Sequence, residues 1–445
     1  MKAEHLIFLS VPGLRARDID RANTPALYEL ANRGALAELT PTFPCVTSCV
    51  QASMWTGRPP ADHGVVANGF YHRDRGQVEF WVGRNGVIGG PQIWEELHRR
   101  GRSAAVWHAQ NIKDAAADFI VTPAPIHEPD GTMKLWCYSK PDGLYQRMLD
   151  AGLEHFPLQH YWGPLANIQS TRWILKAALW LIGKHAPHFH WIYLPHLDYA
   201  GQKFGPNGPQ AAAALGELDT ELAGFFADVA RTPIGRSTAY IVAGEYAMTE
   251  VTGVVYPNQV LRRAGLPAIE ERDGREYLDP AASAAFALVD HQFAHVYLKP
   301  PRAGARQASV EGVAALFQEE PGVAGVFAGK DRSRIGMDHE RCGEIVLVAD
   351  GAHWFAYYWW LDDALAPPFA RTVDIHSKPG YDPVELFFDP ATRGIPLDAG
   401  LVKGSHGVPA TGPQHRTALI ASPPLTLPPA CRDTDLFRLC LNAME

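Results

Sequence analysis

The sequence predicts an α/β protein: a mostly parallel central sheet with helices on both faces, a cap insertion over residues 122–161 and a smaller α+β portion over 265–400, all in one domain spanning 1–445. Three observations point there. In the first half, short apolar runs alternate with helix-length amphipathic segments, the pattern of βαβ units. In the tail half, apolar runs are separated by turn residues instead. The 445-residue chain is 47% hydrophobic and 20% charged, a balance that builds a core and argues against global disorder.

Residues 6–11 read as the first strand, followed by a helix over 25–32 that Gly34 ends. A helix over 93–100 stops at Gly101, and 103–107 is the next strand. The stretch 122–161 is rich in Pro, Gly and aromatic residues and fits a cap over the sheet. Its Trp136, Tyr138, Tyr145, Tyr161 and Trp162 either stack on a ring of the ligand or fill the cap's own core. A helix over 171–182 precedes a strand at 191–194, and a long amphipathic helix over 210–230 precedes a strand at 239–242. Residues 295–298, 323–327, 345–348 and 354–360 read as strands of an antiparallel edge or lobe.

Several function classes are excluded at this level. A net charge of −8 argues against a nucleic-acid polymer as partner. No apolar run approaches the ~20 residues that span a membrane, and the run 6–9 is too short for a secretory leader. The six cysteines form no CxxC pair and no metal-ligand spacing with histidine. Reduced thiols in a cytoplasm are the expectation.

Open parallel sheets bind ligands beyond the carboxyl ends of their strands. Those positions hold Pro12-Gly13-Leu14, then His196-Leu197-Asp198-Tyr199-Ala200-Gly201-Gln202, then Glu245-Tyr246. The most informative segment lies elsewhere: Phe43-Pro44-Cys45-Val46-Thr47-Ser48-Cys49, continuing to Thr56-Gly57, His63-Gly64 and Asn68-Gly69. It delivers Thr47 to the start of a short helix running to about Trp55. There a hydroxyl faces free backbone N–H groups and the positive end of the helix dipole. A plain helix cap is the competing reading of Thr47.

This segment resembles the nucleophile region of the nucleotide pyrophosphatase/phosphodiesterase branch of the alkaline-phosphatase superfamily. That branch has a nucleophilic Thr, a Thr-Gly nine and ten residues on, a His-Gly, and an Asn that binds the phosphoryl oxygen. Thr47, Thr56-Gly57, His63-Gly64 and Asn68 match it. Gly404-Ser405-His406-Gly407 matches the family's last Gly-x-His-Gly. Nearly the whole chain also resembles a bacterial subgroup described as nucleotide pyrophosphatases, which shares Leu194-Pro195-His196-Leu197-Asp198-Tyr199, Asp290-His291-Gln292-Phe293-Ala294-His295 and His376-Ser377-Lys378-Pro379-Gly380-Tyr381-Asp382. The resemblance implies an alkaline-phosphatase-like fold over 1–445.

It also implies a hydrolase of phosphoric esters or phosphoanhydrides that acts on a small phosphorylated substrate through a phospho-threonine intermediate. Thr47 is then the nucleophile and Asn68 the oxyanion donor, with Glu245 as base and Tyr246 as proton donor or cover. Ser48, His196 and His291 are substrate-binding candidates. The implied cofactor is a divalent metal, zinc, with Asp198, Gln202, His406 and Glu245 as ligands. The family pattern is altered in its metal positions: Pro12 stands for an Asp, Gln202 for a His, and Glu245-Tyr246 for Asp-His. One ion rather than two is the count these changes leave. His295 reads as structural, and Asp374 with His376 as a loop clamp. Two alternatives stay open: a transferase, mutase or phosphonate/sulfate hydrolase on the same scaffold, and a non-catalytic ligand-binding protein.

Overall fold

The computed structural model describes residues 3–127, 133–299 and 308–445. Strand β1 (His5–Val11) is buried along six of its seven residues. Its even positions Leu6 and Phe8 enter one core and its odd positions Ile7, Leu9 and Val11 another. A strand apolar on both sides belongs in the middle of a sheet covered on both faces. After β2 (Ala35–Thr40) come β3 (Ala104–Trp107), β4 (Phe119–Pro123), β5 (Cys137–Lys140), β6 (Phe189–Tyr193) and β7 (Thr238–Gly244).

A second group follows: β8 (Ala285–Asp290), β9 (Phe293–Leu298), β10 (Val323–Ala328) and β11 (Ile345–Ala349). The chain then returns to the first sheet as β12 (Thr417–Ala421) and β13 (Cys431–Arg432). The large sheet has nine strands in the order β13-β2-β12-β7-β1-β6-β3-β4-β5. The run from β7 to β4 is parallel. Antiparallel pairing is confined to β12 with β7 and β2, and to β5 at the far edge.

Helices α1 (Pro25–Arg33), α2 (Thr47–Thr56) and α3 (Ile93–Arg99) precede α4 (Ile168–His185), α5 (His196–Phe204) and α6 (Pro209–Ala230), of which α4 and α6 are the long ones. On one face α2 and α3 pack through Trp55 and Trp94 onto Phe8 and Trp191 of the sheet. On the other, α4 and α6 supply Ile174, Leu181, Leu218 and Leu222. No helix among the described residues is long and apolar enough to cross a membrane. All six cysteines are free and buried.

The stretch expected as a cap contributes instead to the sheet edge. Residues 137–140 pair with 119–123, and Trp136 and Tyr145 pack in the α4 core, where Tyr145 lies 6.1 Å from Trp173 between ring centres. Residues 128–132 of that stretch lie outside the described residues. The lobe expected over 265–400 contains an antiparallel sheet ordered β8-β9-β11-β10, covered by α7 (Val310–Gln318).

One strand expectation fails. Of residues 354–360, only Trp354 and Phe355 are strand, within His353–Phe355, which pairs with Gly253–Val255. From Ala356 the chain leaves the ladder, although every residue to Trp360 is buried. Side chains replace the lost ladder: Asn258 Nδ2 donates to the Tyr357 carbonyl at 3.3 Å and Gln259 Nε2 to the Trp360 carbonyl at 2.7 Å. Continuous burial, without alternation, does not distinguish a strand from such a segment.

Candidate active site

The carboxyl ends of β1, β6 and β7 carry Pro12, His196 and Glu245-Tyr246, and the start of α2 faces them. The N-cap of α2 is Val46, which makes no side-chain capping bond, and Thr47 is the first helical residue. Thr47 is therefore not acting as the cap. Its Oγ1 lies 3.1 Å from the Tyr246 hydroxyl, and it is buried.

Tyr246 is the hub. Its hydroxyl donates to Asp198 Oδ2 at 2.9 Å. A phenol has one proton, so while Asp198 is ionised the Thr47 hydroxyl is the donor in its bond to Tyr246. The Tyr246 ring stacks on His406 with centroids 3.5 Å apart and planes 7° apart. His406 in turn contacts His291 at 3.8 Å, and His291 stacks on Tyr381 at 3.6 Å. Tyr381 donates to Gln202 Oε1 at 2.8 Å. Four rings thus line one wall and bring Thr47, Asp198, Gln202, Tyr246, His291 and His406 together.

Both imidazoles have their tautomer set by a partner at Nδ1. His406 Nδ1 meets the Cys45 carbonyl at 2.7 Å, and His291 Nδ1 meets Asp290 Oδ1 at 2.6 Å. The proton sits at Nδ1 in each and Nε2 keeps a lone pair. Burial holds both well below the usual histidine range.

Asn68 is fixed from three sides. Its backbone N–H and its Nδ2 donate to Asp290, at 2.7 and 3.1 Å, and its Oδ1 accepts from the Ser48 N–H at 3.0 Å. That leaves one Nδ2 proton free. The Ser48 N–H is consumed by Asn68, while the Ser48 hydroxyl is buried without a partner.

Glu245 accepts from Ser10 Oγ at 2.6 Å and Gln51 Nε2 at 2.7 Å, both through Oε1. Its Oε2 is buried with no partner. Burial pushes Glu245 up to about 8, despite the Ser10 and Gln51 bonds. Burial likewise raises Asp198 and Asp290 to about 7.

One sequence candidate sits apart. His196 turns from the site to α6, where Nε2 meets Glu217 Oε2 at 2.9 Å. His295 uses both nitrogens structurally, on the Val66 carbonyl at 3.1 Å and the Gly343 N–H at 3.3 Å. Asp374 Oδ1 accepts from the His376 and Ser377 N–H groups, a turn clamp away from Thr47. Ser10, Gln51, Asp290 and Tyr381 are additional members that the sequence motifs did not assign.

These residues do not fit a pair of ions. Pro12 has no ligand atom, and burial holds the Tyr246 phenol well above its ordinary range, so it stays protonated. Asp198 Oδ1 and His406 Nε2 are buried and unpartnered, but Gln202 has its oxygen committed to Tyr381. Glu245 Oε2 is likewise buried and unpartnered. Among the described residues no group of three His, Cys, Asp or Glu is arranged to hold a metal. Of the expected ligand set, Asp198, His406 and Glu245 each keep one unpartnered buried atom, and Gln202 has its oxygen on Tyr381.

Comparison with known proteins agrees with the architecture. The chain matches solved structures of phosphonoacetate hydrolase from Sinorhizobium meliloti at 18% identity, covering 100% of this chain and 96% of that one. The TM-score is 0.65 for the phosphonoformate complex and 0.66 for the phosphonoacetate complex. An uncharacterized pyrophosphatase/phosphodiesterase of Schizosaccharomyces pombe is 24% identical over 247 residues, 55% of this chain and 44% of that protein. Ectonucleotide pyrophosphatase/phosphodiesterase 2 of Saccharomyces cerevisiae is 25% identical over 241 residues, 50% of this chain and 42% of that protein. The chain spans less than half the length of these two curated relatives. The model of type I phosphodiesterase / nucleotide pyrophosphatase matches residues 6–382, and the chain belongs to that family.

Proposed function

We propose that this chain hydrolyses a small phosphoric ester or phosphoanhydride, of the phosphodiesterase/pyrophosphatase type, with Thr47 as nucleophile and a phospho-threonine intermediate. The observation that carries this reading is the placement of Thr47. It is buried at the first turn of α2, is freed from capping by Val46, and is in contact with Tyr246.

The surroundings suit an in-line displacement at phosphorus. The free Nδ2 proton of Asn68 donates to a non-bridging oxygen, and the first-turn N–H groups of α2 add positive potential there. Glu245 holds a proton near neutral pH because burial raises it to about 8. Its unpartnered Oε2 is then a second donor to the phosphoryl group rather than a base for Thr47. His291 and His406 keep neutral Nε2 lone pairs, which accept from hydroxyls of the substrate or of attacking water.

Members of this family generally depend on divalent metal ions. Bound ions would supply charge neutralisation and nucleophile activation. The residues here do not fit the ion pair, so no step is assigned to it.

Hydrolysis of para-nitrophenyl phosphate monoesters and bis-para-nitrophenyl phosphate by wild type and Thr47→Ala tests the reading. Turnover abolished by Thr47→Ala is expected. Turnover that survives it, or none in any divalent ion, refutes it.

A further inference from the structure

Resting on the phosphoryl-transfer reading above, we propose that Asp290 is a positioning residue, which reaches from the smaller lobe to aim the Asn68 amide at the phosphoryl group. Asp290 and Asn68 are 222 residues apart in the chain. Even so, both Asp290 oxygens are spent on Asn68 and its surroundings. Oδ2 accepts the Asn68 backbone N–H at 2.7 Å, and Oδ1 accepts Asn68 Nδ2 at 3.1 Å together with His291 Nδ1 at 2.6 Å. The side chain is fully buried, so water does not compete for these bonds.

Asp290 is itself held firmly. It ends β8 opposite Phe293 of β9, and His291-Gln292 is the loop between them. Such tight loops need positive φ, and His291 supplies it with φ 60°. The His291 carbonyl accepts the Phe355 N–H at 2.7 Å, and the Gln292 N–H donates to the His406 carbonyl at 3.0 Å. The same hairpin grips the Asn68 segment a second time, where His295 Nε2 of β9 bonds the Val66 carbonyl at 3.1 Å. Residues 66–68 thus hang from the hairpin at both ends.

The contact decides which way the amide faces. Asn68 Oδ1 accepts the Ser48 N–H at 3.0 Å. With the amide turned over, its oxygen would face the Asp290 carboxylate and its NH2 the Ser48 N–H. Acceptor would then meet acceptor, and donor would meet donor. A carboxylate on one side and an N–H on the other therefore hold a single orientation. In it, the second Nδ2 proton is left for a non-bridging oxygen. Asp290→Asn keeps the shape of the side chain but offers one oxygen to the three donors, so Asn68 loses its aim.

The test is a double-mutant cycle in the full-length chain, with bis-para-nitrophenyl phosphate as substrate. It compares wild type, Asp290→Asn, Asn68→Ala and the double variant, each checked by thermal unfolding. Asp290→Asn is expected to lower kcat at least about 30-fold with KM within about threefold of wild type. In the Asn68→Ala background the same substitution is expected to lower kcat less than about threefold. A second readout is the NMR spectrum of protein labelled with 15N at asparagine. Wild type is expected to show an Asn68 side-chain amide, assigned by its loss in Asn68→Ala, with one proton shifted downfield by its bond to Asp290. Full kcat in Asp290→Asn overturns the proposal, and so does an equal loss in both backgrounds, the mark of a purely structural role. Absence of the shifted proton from wild type also overturns it, and that measurement needs no variant at 290 to fold. Each of these results leaves the hydrolase reading intact. No turnover by wild type in any divalent ion refutes that reading and this proposal together.

Discussion

A threonine at the first turn of a helix ordinarily spends its hydroxyl on the backbone. Thr47 does not, because Val46 holds the cap position and Tyr246 takes the hydroxyl. If Thr47 is the nucleophile, Thr47→Ala lowers kcat by ~10³-fold or more, and Thr47→Ser keeps measurable turnover. Asn68→Ala removes one oxyanion donor and is expected to cost ~10²–10³-fold in kcat, read in the same steady-state assay. The buried carboxyls set a pH dependence of stability. Burial raises Glu245 to about 8, and Asp198 and Asp290 to about 7, from unfolded values near 4. Between those limits the folded chain binds more protons than the unfolded one. Stability is therefore full at low pH within this window and falls as pH rises from about 4 through about 8. Denaturant midpoints should drop between about pH 5 and about pH 8.5, and Glu245→Gln should shrink the drop; equal midpoints for wild type contradict the assignment. At this scale the sequence points to Thr47 and Asn68 through the family resemblance carried by Thr56-Gly57 and His63-Gly64. Tyr381, Ser10 and Gln51 stay hidden, because each meets its partner across 179 to 235 residues of chain, which no local pattern records. His196 misleads for the converse reason: two residues from Asp198 in sequence, it opens a helix and turns to Glu217 instead.

At the scale of elements, two devices hold the site's walls. The loop carrying Tyr381 is pinned by Lys378, whose fully buried ammonium lies 2.7 Å from both Asp382 and Glu385. Trp162 and the Asp374 N–H also bond Glu385, at 2.5 and 3.0 Å. Lys378→Met strands two buried carboxylates and should cost about 3–5 kcal/mol, visible as a lowered melting temperature, together with a raised KM as Tyr381 loosens. An unchanged melting temperature would refute the pinning. The second device is Gly244 at the end of β7. A Cβ there would lie 2.2 Å from the Leu14 carbonyl oxygen and 2.7 Å from Thr417. Gly244→Ala must push β7 from its neighbours and displace Glu245 and Tyr246, so turnover should fall more than global stability does. The helices and most strands are legible because their periodicities are long and clean. Residues 356–360 are not, since a run of buried aromatics satisfies its backbone through Asn258 and Gln259 rather than a ladder.

For the whole molecule, the nine-stranded sheet gathers residues from distant parts of the chain at one edge. The parallel strands β1, β6 and β7 end there, and α2, β8 and the Gly404–Ser405 strand arrive from the smaller lobe and the flanks. The α/β class follows from the βαβ rhythm alone, whereas the edge role of residues 137–140 is concealed by the irregular composition around them. The family resemblance points to Thr47 as the nucleophile, while Pro12 and the protonated Tyr246 phenol depart from its pattern of metal ligands. The central claim is that Thr47 forms a bond to phosphorus. Acid quench of the chain during turnover of bis-para-nitrophenyl phosphate, followed by peptide mass spectrometry, tests it most directly. A phosphoryl-ester adduct on the peptide containing Thr47, absent from Thr47→Ala, is the predicted result; turnover with no adduct there, or an adduct on another residue, would contradict it.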